Sequence, residues 1–234
     1  MLRFQLFLIR SGIFRLGKPF VSLLSKVSWF IKLAAWISRN KNIPLNDFPA
    51  TPNYQKRYTL YQYLIDHIVR DQPATYLEMG VADGETFRWW LTHLPHPGSR
   101  FYGFDTFEGL PEDWGSNKKG SFSNRGIVPI FDDPRYQLYK GLFQETLPPF
   151  LANANLSSQI KIVLMDADLY SSTLFSLTSL APHLRPGDLL IFDEFFAPQH
   201  EFRAWYDFQQ AYTHIKLELI AVANNYTFTA FKVI

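Results

Sequence analysis

The sequence predicts an α/β fold in which a doubly wound, mostly parallel sheet of seven strands follows a helical N-terminal extension. Short apolar segments alternate with helical patterns between residues 75 and 212, which is typical of such sheets. Two of these segments, 162–165 and 189–192, are apolar at every position, as expected for strands that helices cover on both faces. Both segments end at acidic residues, and in open α/β sheets ligands bind at that edge.

The composition indicates a folded chain with a large core. Of the 234 residues, 47% are hydrophobic, 17% are aromatic and 19% are charged, which excludes a disordered protein. The length suits one large domain with an extension. The sequence contains no cysteine, so disulfides, thiolate metal sites and cysteine nucleophiles are excluded.

Charge is unevenly distributed along the chain. The net charge is +2, yet no acidic residue precedes Asp47 and eight basic residues do: Arg3, Arg10, Arg15, Lys18, Lys26, Lys32, Arg39 and Lys41. The rest of the chain carries 15 basic and 21 acidic residues. A body of negative net charge binds nucleic acid poorly, so we expect no nucleic-acid partner.

Residues 1–50 are predicted to form a basic, amphipathic helical extension and a linker. Their longest uncharged run, 19–25, is far shorter than the roughly 20 residues of a membrane-spanning helix. Arg10 also interrupts the apolar core that a secretory signal needs. We predict two helices, the second beginning at Pro19 and ending at Asn40, and a linker at 42–54.

A basic, aromatic and amphipathic segment is typical of helices that lie on an anionic membrane surface. We therefore expect residues 1–40 to make peripheral contact with the inner face of the membrane, and the protein to be cytoplasmic. The same pattern also fits a helical cap over the domain or an interface in a homo-oligomer.

Residues 51–234 are predicted to form the main domain. A helix at 54–70 is followed by strands at 75–79, 101–104, 136–139, 160–165 and 189–192 and by helices at 85–94, 173–184 and 201–212. Two final strands, near 217–222 and 226–233, flank a short Asn-Asn turn and close the sheet as an antiparallel hairpin. The long segment 106–135 interrupts the alternation, and we expect it to fold over the site as a lid.

A glycine-rich turn follows the first of these strands. Residues 78–84 read EMGVADG, in which the glycines allow a tight turn and a close approach to a ligand. Asp105 ends the second strand, where an acidic residue can accept hydrogen bonds from both hydroxyls of a ribose. The turn lacks the third glycine of the dinucleotide fingerprint, which counts against NAD. An ordinary tight turn beside a solvated acid would also give this pattern.

Acidic residues follow two further strands. Asp166 and Asp168 come after the strand at 160–165, and Asp193 and Glu194 come after the strand at 189–192. Because parallel strands end at the same edge of a sheet, these side chains are predicted to form a carboxylate cluster. The alternative role for Asp166 and Asp193 is helix N-capping, and Asp168 is predicted to have a supporting role.

These motifs resemble those of a known family. The turn at 78–84 resembles the S-adenosylmethionine loop of class I methyltransferases, which have a Rossmann-like fold. Four further segments resemble the macrocin O-methyltransferase family: DTFEGLP at 105–111, GLFQETLP at 141–148, DADLYSST at 166–173 and GDLLIFDE at 187–194. The resemblance runs from about residue 73 to the C-terminus, and residues 1–50 lie outside it.

The resemblance implies a sugar O-methyltransferase that uses S-adenosylmethionine and Mg²⁺ or a similar divalent cation. It implies that the cofactor is bound by Glu78, Gly80, Ala82, Gly84, Asp105, Thr106, Phe107, Phe143, Gln144 and Asp166. It assigns the metal to Asp166, Asp193 and Glu194. The family commonly has Asp-Asp where this chain has Asp193-Glu194, and often glycine where Ala167 stands.

The chemistry explains why such an enzyme needs carboxylates. A sugar hydroxyl is a poor nucleophile because it keeps its proton near neutral pH, and a divalent ion both lowers its pKa and orients it. Mg²⁺ prefers hard oxygen ligands. Asp166 and Asp193 are therefore predicted to be catalytic, and His200 is a candidate general base, with a solvated loop histidine as the alternative.

We therefore predict an enzyme that methylates a hydroxyl of a small-molecule or lipid-linked sugar. Two other classes of protein are considered. One is a non-catalytic, membrane-associated scaffold with the same fold. The other is an NAD-dependent oxidoreductase, which the missing glycine disfavours.

Overall fold

The structure is a computed structural model that describes residues 2–11, 14–156 and 159–234. Its helices are α1 (Leu2–Ser11), α2 (Phe14–Arg39), α3 (Lys56–Leu64), α4 (Glu85–His93), α5 (Phe143–Asn153), α6 (Tyr170–Leu180) and α7 (Glu201–Ala211). Its strands are β1 (Leu45–Asn46), β2 (Ala74–Met79), β3 (Arg100–Asp105), β4 (Tyr136–Lys140), β5 (Ile160–Met165), β6 (Leu189–Phe192), β7 (Leu217–Ala223) and β8 (Phe228–Val233).

The strands form a single mostly parallel sheet with the order β1-β7-β8-β6-β5-β2-β3-β4. Strand β8 is antiparallel to both β6 and β7, and the other pairs are parallel. The doubly wound fold and the closing hairpin are thereby confirmed. In the described part of the chain the sheet has eight strands rather than the seven predicted.

The additional strand is β1, which lies in the segment predicted to be a linker. It pairs in parallel with the edge strand β7, with Leu45 opposite Ala221 and Asn46 opposite Val222. A strand of two residues is too short to show any periodicity in the sequence.

The core lies on both faces of the sheet, as expected for strands that are apolar throughout. On one face Met79, Val163 and Phe192 pack with the helices α5, α6 and α7. On the other face Tyr76 and Ile162 pack with α3 and α4. Helices thus cover both faces, and the polar strand ends gather at one edge of the sheet.

Helix α2 differs in part from its prediction. It ends at Arg39, just before Asn40 as expected, but it begins at Phe14, so Pro19 lies inside the helix rather than at its start. Proline removes one N–H donor and crowds the preceding turn, and this helix accommodates it near its N-terminal end.

The C-terminal half of α2 packs on the main domain. The Trp29 ring lies 6.4 Å from the Phe202 ring, the Trp36 ring lies 5.2 Å from the Trp205 ring, and Leu33 is 1% exposed. By length and composition alone, the segment Phe20–Arg39 is long and apolar enough to cross a membrane. Lys26 and Lys32 lie within this segment.

The segment 106–135 contains no helix and no strand longer than one bridge, which joins Trp114 and Asn117. Backbone hydrogen bonds between Leu110 and Ser121 and between Gly120 and Leu110 fold it into a compact loop. The hydroxyl of Ser171 on α6 donates a 2.5 Å hydrogen bond to Glu112, which ties this loop to the main domain.

Candidate active site

A cavity of about 590 Å³ opens at the carboxyl ends of β2, β3, β5 and β6. Most of the predicted site residues line it: Glu78, Gly80, Ala82, Asp105, Thr106, Phe143, Gln144, Asp166, Asp193 and Glu194. Leu110, Trp114 and Phe122 from the 106–135 loop also contribute to its wall. Residues far apart in the sequence therefore meet at the edge of the sheet where the acidic strand ends were predicted.

The turn after β2 can be built only with small residues. Gly80 has φ +100°, and a Cβ atom at this position would lie 1.8 Å from the carbonyl oxygen of Asp166. Ala82 has φ 48° and Gly84 has φ +81°, which is also left-handed backbone. This close approach of the turn to the end of β5 joins the two halves of the cavity.

Asp105 holds this turn in place. Its Oδ2 accepts hydrogen bonds of 2.8 Å from the backbone N–H groups of Val81 and Ala82, and its Oδ1 accepts one of 2.6 Å from Phe107. A carboxylate oxygen can accept two hydrogen bonds, so Oδ1 retains room for one hydroxyl. The contact of Asp105 with a ribose stays a prediction, and Oδ1 is the oxygen that has room for it.

Phe107 and Gly84 do not line the cavity. The side chain of Phe107 is 1% exposed and belongs to the core with α4, and its backbone has φ 58°. The resemblance assigned Phe107 to the cofactor, but its ring does not line the cavity. Gly84 precedes α4, and a Cβ there would lie 2.6 Å from the ring of Phe131.

Glu78 lies at the floor of the cavity and is 1% exposed. Its Oε2 accepts a 2.6 Å hydrogen bond from the Tyr76 hydroxyl. Burial raises the pKa of Glu78 well above its usual range, and the charges of Asp193 and Asp105 add to the effect, while the Tyr76 hydrogen bond opposes it.

Four acidic residues also line the cavity. Burial raises the pKa of Asp166 well above its usual range, and the charges of Asp193 and Asp168 add to this. Burial, with the charge of Glu194, raises the pKa of Asp168 to about 7. The pKa of Glu194 is also raised to about 7 by burial and by Asp193, and burial raises the pKa of Asp193 to about 6. These carboxyls form the predicted cluster, and they destabilise one another's charged forms.

Three residues from the segment around α3 meet this cluster and were missed in the sequence. Arg57 Nη2 lies 3.1 Å from Asp193 Oδ2, and the Tyr61 hydroxyl donates to Asp193 Oδ1 over 3.3 Å. The Tyr54 hydroxyl donates to Glu194 Oε1 over 3.1 Å. The sequence showed only the apolar spacing of a helix here, and no local pattern indicates that this helix reaches the acids.

The donors of the cluster suit a hard divalent cation, since carboxylate oxygens are the ligands that Mg²⁺ prefers. The side chains are not arranged as a metal site. Asp193 forms an ion pair with Arg57 and accepts a hydrogen bond from Tyr61, and Glu194 accepts a hydrogen bond from Tyr54. Across residues 2–11, 14–156 and 159–234, no group of three or more His, Asp or Glu side chains is placed to hold a metal ion.

His200 lies outside the set of residues that line the cavity. It is the residue before α7, and its ring is 6.2 Å from that of Trp114, which does line the cavity. Burial lowers the pKa of His200 below its usual value. The structure therefore does not bring this candidate base together with the carboxylate cluster.

The chain is similar to known proteins in sequence. The sequence profile described as macrocin O-methyltransferase (TylF) matches residues 47–230. A protein of Streptomyces olivaceus named 8-demethyl-8-(2,3-dimethoxy-alpha-L-rhamnosyl)-tetracenomycin-C 4'-O-methyltransferase is 25% identical over 166 residues. That match covers 60% of this chain and 60% of the relative, so this chain spans less than two thirds of the length of the relative.

Solved structures share the fold. The calicheamicin methyltransferase CalS11 has a TM-score of 0.55 at 23% identity, with 76% of this chain and 77% of that chain covered. An apo structure described as CalS11, TDP-rhamnose 3'-O-methyltransferase, has a TM-score of 0.51 at 26% identity, with 76% and 78% covered. The O-methyltransferase NovP has a TM-score of 0.51 at 20% identity, with 76% of each chain covered.

Proposed function

The chain belongs to the macrocin O-methyltransferase family, and on that premise we propose that it transfers the methyl group of S-adenosylmethionine to a sugar hydroxyl. The observation that carries the proposal is that one cavity is lined by two chemically different sets of residues. We call the part lined by the glycine turn and Asp105 its first end, and the part lined by the carboxylate cluster its second end or acceptor end. The relative from Streptomyces olivaceus and the CalS11 structure are both named for O-methyl transfer to a rhamnose, which supports a sugar as acceptor.

The first end is suited to the cofactor. The turn at Gly80 lets the methionine part of S-adenosylmethionine approach the backbone closely, and Asp105 Oδ1 can accept a hydrogen bond from a ribose hydroxyl. Phe143 and Gln144, at the start of α5, border the place proposed for the adenine.

The second end is suited to the acceptor. In methyl transfer the oxygen of the hydroxyl forms a bond to the methyl carbon, the carbon–sulfur bond breaks, and sulfur keeps the electron pair. The hydroxyl proton must pass to a base. The sulfonium already supplies a good leaving group, so the protein's task is to orient the hydroxyl and accept its proton. Carboxylates at this end of the cavity, such as Asp168, can accept such a proton.

We further propose that Mg²⁺ or a similar divalent cation assists, with Asp166, Asp193 and Glu194 as its ligands. The support is the oxygen donor set and the crowding of negative charge, which an added cation would relieve. When bound, such an ion would lower the pKa of the acceptor hydroxyl. Arg57 now compensates the charge of Asp193, so the cation and Arg57 compete for the same carboxylate.

The test is a methyl-transfer screen with S-adenosylmethionine against sugar nucleotides, including TDP-rhamnose, and against lipid-linked sugars, read by mass spectrometry. Calorimetry with S-adenosylmethionine is run in parallel. A methylated sugar is the expected result. Absence of cofactor binding would overturn the proposal and favour a non-catalytic scaffold with this fold.

A further inference from the structure

Helix α2 is apolar on two opposite sides. Its inner side, with Trp29, Leu33 and Trp36, packs on the main domain. The opposite side carries a stripe that we call the outer face: Phe20, Leu23, Leu24, Val27, Phe30 and Ile31. These residues recur at the spacing of one helical face, and each is between 46% and 65% exposed.

The outer face is larger than the isolated apolar residues that any protein surface carries. Phe4, Phe7 and Ile9 of α1 are each at least 60% exposed as well. At the other end it continues into a shallow apolar groove lined by Phe30 and Phe196. Contiguous exposed apolar surface of this kind marks a site of contact with a membrane or another molecule.

The charges around this face favour an anionic contact. Lys26 is exposed and flanks the outer face by its helical spacing, whereas the ammonium of Lys32 lies 3.9 Å from the Trp29 ring on the inner side. Arg10, Arg39 and Lys41 are also exposed, and no acidic residue precedes Asp47 in the sequence. A second copy of the chain would place one basic helix against another and be repelled, whereas anionic headgroups match both the charge and the apolar stripe.

We propose that the outer face of α2 docks onto an anionic membrane surface, with the helix lying in the plane of the interface. A helix that crossed the bilayer would have to leave the domain, because Trp29, Leu33 and Trp36 are engaged with it. Lying flat keeps those contacts and buries the outer face. This arrangement is that of interfacial amphipathic helices with basic flanks.

The docked helix is adjacent to the acceptor end of the cavity. The side chain of Gln199 donates a 3.1 Å hydrogen bond to Ser25 on α2, and the Trp36 ring lies 5.1 Å from the Phe195 ring. Phe195 follows Glu194, which lines the cavity. The acceptor end therefore lies near the membrane, and, resting on the proposed function, the acceptor is a sugar carried on a lipid.

The experiment uses the full chain and vesicles of phosphatidylcholine alone or mixed with phosphatidylglycerol, measured by co-sedimentation. We expect binding to the mixed vesicles that weakens with salt, and little binding to phosphatidylcholine alone. The double variant Leu24→Glu/Ile31→Glu and the variant Lys26→Glu should each weaken binding by roughly tenfold or more.

The matched control is Ile130→Glu, which places the same charge on an isoleucine that is 85% exposed outside α2. It should bind vesicles as the wild-type protein does. Unchanged thermal unfolding checks that the outer-face variants remain folded. Wild-type binding by these variants, or equal binding to both vesicle types, would overturn the proposal. So would a dimer that the Leu24→Glu/Ile31→Glu variant dissociates in light scattering, or a soluble acidic protein that saturates the outer face.

The methyl-transfer assay separates this inference from the proposed function. If docking is correct, the outer-face variants methylate a soluble sugar nucleotide at the wild-type rate and lose activity on the same sugar in vesicles. Vesicle binding without any methyl transfer would leave docking intact and refute the proposed function. Transfer to both acceptors by the variants would refute the membrane-borne acceptor.

Discussion

Replacing Arg57 by methionine should extend to higher pH the loss of stability that comes from Asp193. Arg57 Nη2 lies 3.1 Å from Asp193 Oδ2, in an ion pair whose side chains are 19% and 4% exposed. Even with this partner, burial raises the pKa of Asp193 to about 6. Methionine keeps much of the aliphatic stem and removes the charge, so the carboxylate loses its counter-ion in a buried site.

The size of the effect follows from proton linkage. A carboxyl whose folded-state pKa is raised binds its proton more tightly in the folded protein, so stability is lost as the pH rises towards that pKa. In the wild-type protein this loss ends a little above the Asp193 pKa of about 6. Without Arg57 the pKa rises further and the loss continues to higher pH. Each added unit is about 1.36 kcal/mol, so we expect a loss on the order of 2 kcal/mol at pH 8 and almost none at pH 5.

The assay is urea unfolding of both proteins at the two pH values, followed by tryptophan fluorescence. Arg88→Met is the matched control, because Arg88 is an exposed arginine whose guanidinium lies 5.3 Å from the Phe131 ring. It should change stability little and equally at both pH values. An equal loss at pH 5 and pH 8 in the Arg57 variant would refute the reasoning and point to lost packing, since Arg57 also lies 5.1 Å from the Phe228 ring.

Four further outcomes are expected. Gly80→Ala should abolish cofactor binding in calorimetry, because its Cβ would lie 1.8 Å from the Asp166 carbonyl oxygen, whereas Gly115→Ala, where a Cβ meets no atom within 4 Å, should bind normally. Asp105→Asn should weaken S-adenosylmethionine binding by roughly 10- to 100-fold, because one acceptor for the turn is lost, and unchanged affinity would contradict this role. A chelator should suppress methyl transfer but leave cofactor binding intact, and full activity in chelator would exclude the metal. His200→Gln should change kcat by less than about threefold, and a loss of roughly 100-fold or more would make His200 the base after all.

The edge of the sheet that carries the site was predictable from the sequence. Strands covered on both faces must be apolar throughout, so 162–165 and 189–192 could be recognised without knowledge of their partners. Their parallel pairing then brings Asp166 and Asp193 to one edge, and both line the cavity. The glycine turn was recognisable for a similar reason, because the close approach at Gly80 admits no side chain.

The contribution of α3 was not predictable in this way. Arg57 Nη2 lies 3.1 Å from Asp193 Oδ2, although the two residues are far apart in the sequence. No pattern in the sequence near either residue indicates that they are in contact. The burial of Phe107 was not predictable either. The motif identifies the residue, but it carries no information that the ring lies in the core, where it is 1% exposed.

The inner side of α2 means that the N-terminal extension is not a detachable module. Leu33 is 1% exposed within the core, and the Trp36 ring packs against those of Phe195 and Trp205. Truncation at residue 40 would uncover these aromatic rings, and the shortened protein should aggregate or unfold whatever its affinity for lipid. The proposed membrane contact can therefore be tested by substitutions on and beside the outer face that keep the whole helix, and not by removing the extension.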